Sequence, residues 1–439
     1  MDITLKEILD AREERVRMQM EMQRENPYPL ICFTMNIAGP IKTSPLIIRA
    51  FDYGLKELEN AIEKYGIAKQ ITEYKNYGPM SLLSVMADAQ DIKDICVRIE
   101  ESCPLGRLFD MDVIDVDGKK LERKKERCCI ICGKAGRTCA AGRLHSVEEL
   151  QEKTQEIISD HFAKIDAQKF AELARACLIE EVRTTVKPGL VDLSNNGSHS
   201  DMNVQTFENS ANALVDYFGE CVNIGINTAH NTHEDTFYAL RKAGIKAEKA
   251  MYKATNGVNT HKGIVYSLGV ILGAIGRLWK PDSPIAQTDD ILAECSAMTK
   301  TAVEKDFANI DDSTAGGRLF LKKGIRGIRG EVSGGFPSVK NISLPVYKNE
   351  LTNGKTKNDA GVITLLHLIA NVYDTSIYNR GGDEGVKYAQ EYANKLICDT
   401  PTINDIKEMD KTFIAKNLSP GGSADLLAIT YFLESIEYL

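Results

Sequence analysis

The spacing of hydrophobic and polar positions changes once along this chain, near residue 146. Before it, short apolar runs such as LICFTMNI (30–37) and MSLLSVMAD (80–88) predict β-strands. They alternate with helical spacing in SPLIIRAFDYGLKELENAIEKYG (44–66). After it, HSVEELQEKTQEIISDHFAKIDAQKFAELARACLIEEVRTT keeps a helical period, and most later segments are long helical patterns broken by glycine-rich loops. The expected architecture is an α+β domain over 1–150 followed by an all-α domain over 151–439. The most apolar stretch, IVYSLGVILGAIGRLW from 264, falls short of the roughly 20 residues a membrane span needs. It predicts a core helix, with Gly269 and Gly273 permitting close packing.

Composition adds little to this picture. A chain of 439 residues, 43% hydrophobic and 26% charged, can bury more than one core. Its net charge of −8 offers no global attraction to nucleic acid or acidic membranes, so neither is an expected partner and any anion site must be local. The start, MDITLKEILDAREERVRM, is charged and amphipathic, unlike a secretory leader, and with eleven cysteines this suggests a reducing cytoplasm.

Candidate chemistry begins at GRLFDMDVIDVDGKK (106–120). Strand alternation puts Asp110 and Asp112 on one face and Asp115 and Asp117 on the other. A helix-loop-helix Ca²⁺ site is excluded, because its first and twelfth positions would be Val113 and Lys124. The Asp-x-Asp pair suits Mg²⁺ held against a polyphosphate; the competing reading is a set of solvated strand-end residues. All seven histidines lie at or beyond His145, so an enzyme built from residues 1–144 takes its base from a carboxylate. Further on, Cys129, Cys132, Cys139 and His145 run as C-x2-C-x6-C-x5-H, which suits Zn²⁺, against the alternative of ordinary thiols around a turn.

PLICFTMNIAGPIKTSPLIIRAF, PLGRLFDMDVIDVDGKKLERK and CCIICGKAGRTCAAGRLHSVEEL together resemble the citrate lyase holo-acyl-carrier-protein synthase family over nearly all of 1–150. The resemblance implies a nucleotidyltransferase-type domain that moves phosphoribosyl-dephospho-CoA from a triphosphate precursor to a serine of the citrate lyase acyl carrier protein (its γ subunit), releasing pyrophosphate. It makes Asp110 and Asp112 Mg²⁺ ligands and Lys42, Arg49 and Arg107 phosphate cations. The basic run KKLERKKER (119–127) reads as a solvated face or as a dock for an acidic carrier.

The helical half gathers polar groups in four loops. TVKPGLVDLSNNGSHSDM (185–202) holds Lys187, Asp192, His199 and Asp201; TNGVNTHKG (255–263) sets His261 and Lys262 before the apolar helix. LKKGIRGIRGEVSGGFP (321–337) brings Lys322, Lys323, Arg326 and Arg329 among glycines, without a Walker A signature, and SPGGSADLLAITYFL (419–433) places Ser423 and Asp425 in a first helical turn. Singly, each is more readily a capped helix or a tight turn. Together they resemble the triphosphoribosyl-dephospho-CoA synthase family over roughly 165–439, with mild departures at Val186, Ser198 and Asn256. That family joins the ribose C1 of ATP to the 2′-hydroxyl of 3′-dephospho-CoA and expels adenine. The resemblance implies carboxylates from Asp192, Asp201, Glu331 and Asp425, a proton donor in His199 or His261, and phosphate cations in Lys187, Lys262, Arg326 and Arg329. A bifunctional enzyme is expected, since the product of one half is the substrate of the other. The alternatives are the related malonate decarboxylase system and an inactive carrier-binding module fused to an active synthase.

Overall fold

The structure, a computed structural model, describes residues 4–313, 315–399 and 401–439. It divides into two compact units, residues 1–163 and 164–439.

The first unit opens with α1 (Leu5–Glu25), started by a Thr4–Glu7 capping box. Then β1 (Leu30–Met35), α2 (Pro45–Ile62), β2 (Ile67–Lys75), β3 (Gly78–Val85), α3 (Ala89–Ser102) and β4 (Phe109–Ile114) follow in β-α-β-β-α-β order. The strands form one antiparallel sheet, β2-β3-β1-β4, in which β3 lies between β2 and β1, a split β-α-β arrangement. The polar edge strand β2 has no counterpart in the sequence reading. Alternation along β1 and β4 sorts the two faces. Phe33 stacks on Phe51 of α2 at 4.7 Å and meets Phe109 edge-on, while Leu30, Cys32, Leu82 and Ile114 pack under Met22 of α1. Burying each such side chain contributes about 2 kcal/mol, which holds the register. Asp110 and Asp112 pair with Thr34 and Cys32 and so share one face, as expected.

Asp115 and Asp117 require a correction. The strand ends at Ile114, and Asp115 Oδ1 accepts from the N–H groups of Asp117 and Lys119 at 3.0 and 2.8 Å. They are turn residues, because a short acidic side chain competes for its own backbone N–H groups where the ladder stops. After the turn come the short α4 (Gly136–Gly142) and the long α5 (Val147–Arg183), within which the two units divide.

The second unit is helical: α6 (Val204–Ala213), α7 (Val215–Asn227), α8 (His233–Ala254), α9 (Lys262–Leu278), α10 (Thr288–Ala308), α11 (Ala315–Lys323), α12 (Gly327–Ser333), α13 (Leu344–Thr352), α14 (Lys357–Asn371), α15 (Thr375–Cys398), α16 (Ile403–Ala415) and α17 (Gly421–Ser435). The apolar helix α9 is buried nearly all round, as its lack of a polar face predicts. It meets α7 at backbone distance: a Cβ on Gly276 would fall 2.1 Å from the Val222 carbonyl, and one on Gly225 2.2 Å from that of Gly273. Gly269 and Gly273, singled out from sequence, make room instead for the Tyr217 and Leu240 side chains. Among the described residues no single helix is long and apolar enough to cross a membrane.

Candidate functional site

Each unit carries its own cleft. In the first, a cavity of about 1200 Å³ is lined by Asp110, Asp112, Arg107 and Lys93, by Lys120, Arg123, Lys125 and Arg127 of the basic run, and by Arg137, Arg143 and His145. The basic run is therefore more than a solvated face, since four of its cations face the two aspartates' cavity. Asp112 pairs with Lys120, and Asp110 lies 3.5 Å from the Arg127 guanidinium. Both carboxylates keep some exposure, 42% for Asp110 and 28% for Asp112, so a bound cation can reach them. Among the sequence-derived phosphate cations, Arg107 lines the cavity and donates to the Cys128 carbonyl. Lys42 and Arg49 do not line it. Lys42 donates to the Ile37 carbonyl, its pKa lowered by burial and then by Arg12, and Arg49 lies 3.9 Å over the Phe162 ring.

Sequence reasoning missed the group that organises this wall. Glu100 on α3 is fully buried; it accepts from the Met111 N–H at 2.8 Å and from Arg123 at 2.7 Å, and it also binds Arg127. A buried carboxylate with two arginines and a backbone donor is satisfied, and it holds both arginines in the cavity wall, with Arg127 beside Asp110. Nothing in VRIEES distinguishes Glu100 from its exposed neighbour Glu101, because the helical period alone does not say which acid meets a basic loop.

The Cys-His segment closes on itself. One ligand atom from each of Cys129, Cys132, Cys139 and His145 lies within 4.8 Å of all the others. Cys132 Sγ is 3.4 Å from Cys139 Sγ and 3.4 Å from His145 Nε2.

The second unit's cleft, about 880 Å³, brings together most of the helical-half candidates: Lys187, His199, His261, Lys262, Arg326, Arg329, Glu331 and Asp425 all line it. Asp192 and Asp201 do not. Asp192 accepts from the N–H groups of Lys187, Ser194 and Asn195 at 2.8, 2.6 and 3.1 Å, which folds the 185–202 loop, and Asp201 is exposed. Lys187 is buried and paired with Glu181. Lys262 pairs with Glu248 at 3.1 Å, Arg326 binds Glu304, and Glu331 accepts from the Ser338 hydroxyl at 2.6 Å. The 321–337 segment is largely the helices α11 and α12 rather than one flexible loop, and Lys323 turns away to Asp383.

Burial decides which groups in this cleft hold protons. His261 donates to or accepts from Ser210 Oγ at 2.7 Å, and burial, aided by Lys187, pushes its pKa down to about 3. His199 is also lowered, by burial and then by Arg380, and here the geometry fixes the tautomer. Arg380 Nη2 sits 3.2 Å from His199 Nδ1, and a guanidinium only donates. Nδ1 is therefore the acceptor, and Nε2–H donates to Ser419 Oγ at 2.9 Å. Both histidines are neutral. Asp425 is pushed the other way: burial, with Glu181 and Asp374 nearby, holds its carboxyl well above the usual carboxylate range. It packs against the first turn of α9, where a Cβ on Gly263 would clash with Oδ2. Asp374, also unanticipated, accepts from the Ser376 and Ile377 N–H groups and from Ser423 N and Oγ, tying the starts of α15 and α17 together.

Cations gathered around carboxylates, twice and on two separate scaffolds, suit phosphorylated substrates. Comparison with known proteins gives the family. Residues 3–161 match the apo-citrate lyase phosphoribosyl-dephospho-CoA transferase family (CitX), and residues 167–439 match the ATP:dephospho-CoA triphosphoribosyl transferase family (CitG). The chain is 36% identical to protein CitXG of Haemophilus influenzae, covering 99% of this chain and 96% of that one, and 32% identical to protein CitXG of Leuconostoc mesenteroides subsp. cremoris, covering 98% and 97%. It is also 35% identical to the 2-(5''-triphosphoribosyl)-3'-dephosphocoenzyme-A synthase of Haemophilus ducreyi over 70% of this chain and all of that one. The chain belongs to this family of fused transferases, which synthesise the prosthetic group of citrate lyase. ATP and dephospho-CoA fit the synthase half as substrates, and an acyl carrier protein is the acceptor that the transferase half implies.

Proposed function

We propose that the helical unit forms the glycosidic bond and the α+β unit, acting as a nucleotidyltransferase-type domain, installs the product, with the two activities divided as 1–150 and 151–439. In the first step the 2′-hydroxyl of 3′-dephospho-CoA attacks C1 of the ATP ribose, the bond to adenine breaks, and the triphosphate stays on the ribose. Adenine leaves well only when protonated, and Asp425 supplies that proton, since burial raises its pKa and favours the protonated form. The neutral histidines, His199 and His261, act as hydrogen-bonding groups instead. Glu331 takes the hydroxyl proton, and Lys262, Arg326 and Arg329 hold the triphosphate.

In the second step a serine oxygen of the citrate lyase acyl carrier protein γ subunit attacks the phosphorus nearest the added ribose, and pyrophosphate departs. Asp110 and Asp112 hold Mg²⁺, which offsets phosphate charge once bound. Arg107, Arg123 and Arg127 bind the departing pyrophosphate, and a carboxylate of the pair accepts the serine proton. Cys129, Cys132, Cys139 and His145 hold a structural Zn²⁺. A cytoplasmic setting suits cysteines kept reduced for that site.

The convergence of Asp425, His199, His261, Lys262, Arg326 and Arg329 on one cleft carries the synthase half of this proposal. Given ATP, Mg²⁺ and 3′-dephospho-CoA, the full chain should release adenine. Adding apo carrier should yield pyrophosphate and a carrier heavier by one phosphoribosyl-dephospho-CoA, with the gain on a serine. ADP or AMP without adenine would reject the synthase assignment, and adenine without modified carrier would reject only the transfer step.

A further inference from the structure

The segment from Asp115 to His145 presents a physical difficulty. Cys139 is its only buried residue, and its only regular helix is α4, of seven residues. A stretch this long with no apolar core does not hold one shape by hydrophobic burial, and small elements in that position need a staple. Yet it forms much of the wall of the transfer cleft, through Lys120, Arg123, Lys125, Arg127, Arg137 and Arg143.

The backbone shows where the staple sits. Cys129 N–H donates to the Lys134 carbonyl at 2.7 Å and Gly133 N–H to the Cys129 carbonyl at 3.1 Å, a tight turn that needs Gly133 at φ +71. The Ile131 N–H points at Cys129 Sγ at 3.5 Å. At the other end α4 presents Cys139, and Leu144 N–H bonds back to the Cys139 carbonyl, which returns His145 to Cys132. Tetrahedral Zn–S bonds of about 2.3 Å put sulfurs just under about 4 Å apart, a spacing these four ligand atoms can meet. The same knuckle anchors the functional arginines. Arg107 donates to the Cys128 carbonyl, and the Arg127 carbonyl accepts from Gly136 N–H at 2.9 Å.

We propose that a zinc ion on Cys129, Cys132, Cys139 and His145 is the clamp that holds the basic wall of the transfer cleft, so that polyphosphate binding in the first unit, and not adenine release in the second, depends on zinc. The proposal rests on the zinc reading of this cluster and adds what the ion does there. Arg107 and Arg127 are its targets: with the knuckle open, the Arg107 guanidinium loses the Cys128 carbonyl and Arg127 loses the hydrogen bond from Gly136 that fixes its backbone, and the cleft loses its grip on the leaving pyrophosphate.

The test uses the full chain purified under reducing conditions. Metal analysis should find about one zinc per chain. A nitrogen-donor chelator with little affinity for Mg²⁺, used with Mg²⁺ in excess, should then open the 119–143 segment to trypsin and raise the KM for the triphosphoribosyl substrate in transfer at least about tenfold. Adenine release should stay within about twofold, and added zinc should restore both protection and KM. His145→Cys, which keeps four ligands, should retain protection; His145→Ala should lose zinc more readily and behave like chelated protein. Protein without zinc would overturn both the zinc reading and the clamp. Zinc that is present and removable, with trypsin pattern and KM unchanged, would leave the zinc reading standing and overturn the clamp. A parallel fall in adenine release would also overturn it, since the ion would then act on the whole chain.

Discussion

The two clefts hold similar residue types under opposite physical regimes. In the α+β unit Asp110 and Asp112 stand partly exposed on one strand face and are balanced by nearby cations, Asp110 by Arg127 and Asp112 by Lys120. In the helical unit the groups are sunk among helix starts, and burial shifts their protonation: it raises the pKa of Asp425 and lowers that of His261. The first site is a field of exchangeable charges, suited to binding a metal polyphosphate. The second is a set of buried groups whose pKa values burial displaces in opposite directions, an arrangement suited to general acid chemistry. The difference teaches that neighbouring activities on one chain can be told apart by burial when their residue types cannot distinguish them.

The comparison can be broken most directly at Asp425. Asp425→Asn should slow adenine release by roughly 10² to 10⁴-fold and leave carrier modification from ready-made triphosphoribosyl substrate intact. The sign of the pH dependence follows from the raised pKa: release by the unaltered chain should fall as pH rises and Asp425 loses its proton, and the variant's residual rate should lack that limb. A variant that keeps the limb would move the acid elsewhere in the cleft.

Asp110→Asn is the converse test, expected to cost transfer on the order of 10²-fold with adenine release unchanged. Loss of both activities would mean that the units do not work separately. Smaller in effect is Glu100→Gln, which strips a buried charge from between Arg123 and Arg127 and should destabilise the first unit by about 3 kcal/mol. Calorimetry should then show one transition moved down and the other in place.

The smallest effect concerns His261. Its folded pKa, about 3, lies below the ordinary histidine value near 6.5, so the unfolded chain binds the extra proton first. Its contribution is fully present above about pH 6.5 and is lost as pH falls toward the folded value. His261→Gln should therefore flatten the acid side of the second unit's stability profile, read by denaturant unfolding at several pH values.

How much of this was legible beforehand varies with the kind of evidence. The pairing of Asp110 with Asp112 on one face, the core helix at 264 and the long helix after 146 follow from period alone. The cleft membership of His199, His261 and Asp425 was reachable through the loops that carry them. Asp192 shows the limit: its residue type suits catalysis, but its two oxygens serve three backbone N–H groups of its own loop. Lys42 and Arg49 show the same limit for cations, since only packing decides whether a charge meets a cleft, a carbonyl or a ring.

What the sequence by itself determined is local: strand and helix periods, the change of architecture near 146, the C-x2-C-x6-C-x5-H ligand spacing, and the absence of histidine from the first 144 residues. Each depends on neighbours a few residues apart, where backbone geometry is fixed and side-chain direction follows from counting. Only the tertiary structure decided which charges share a cavity and which are neutral. Glu100 finds Arg123 and Arg127 from 23 and 27 residues away, Arg380 reaches His199 across 181, and Asp374 reaches Ser423 across 49. Protonation depends on burial, and burial is a property of everything that packs around a group, which no stretch of chain carries by itself.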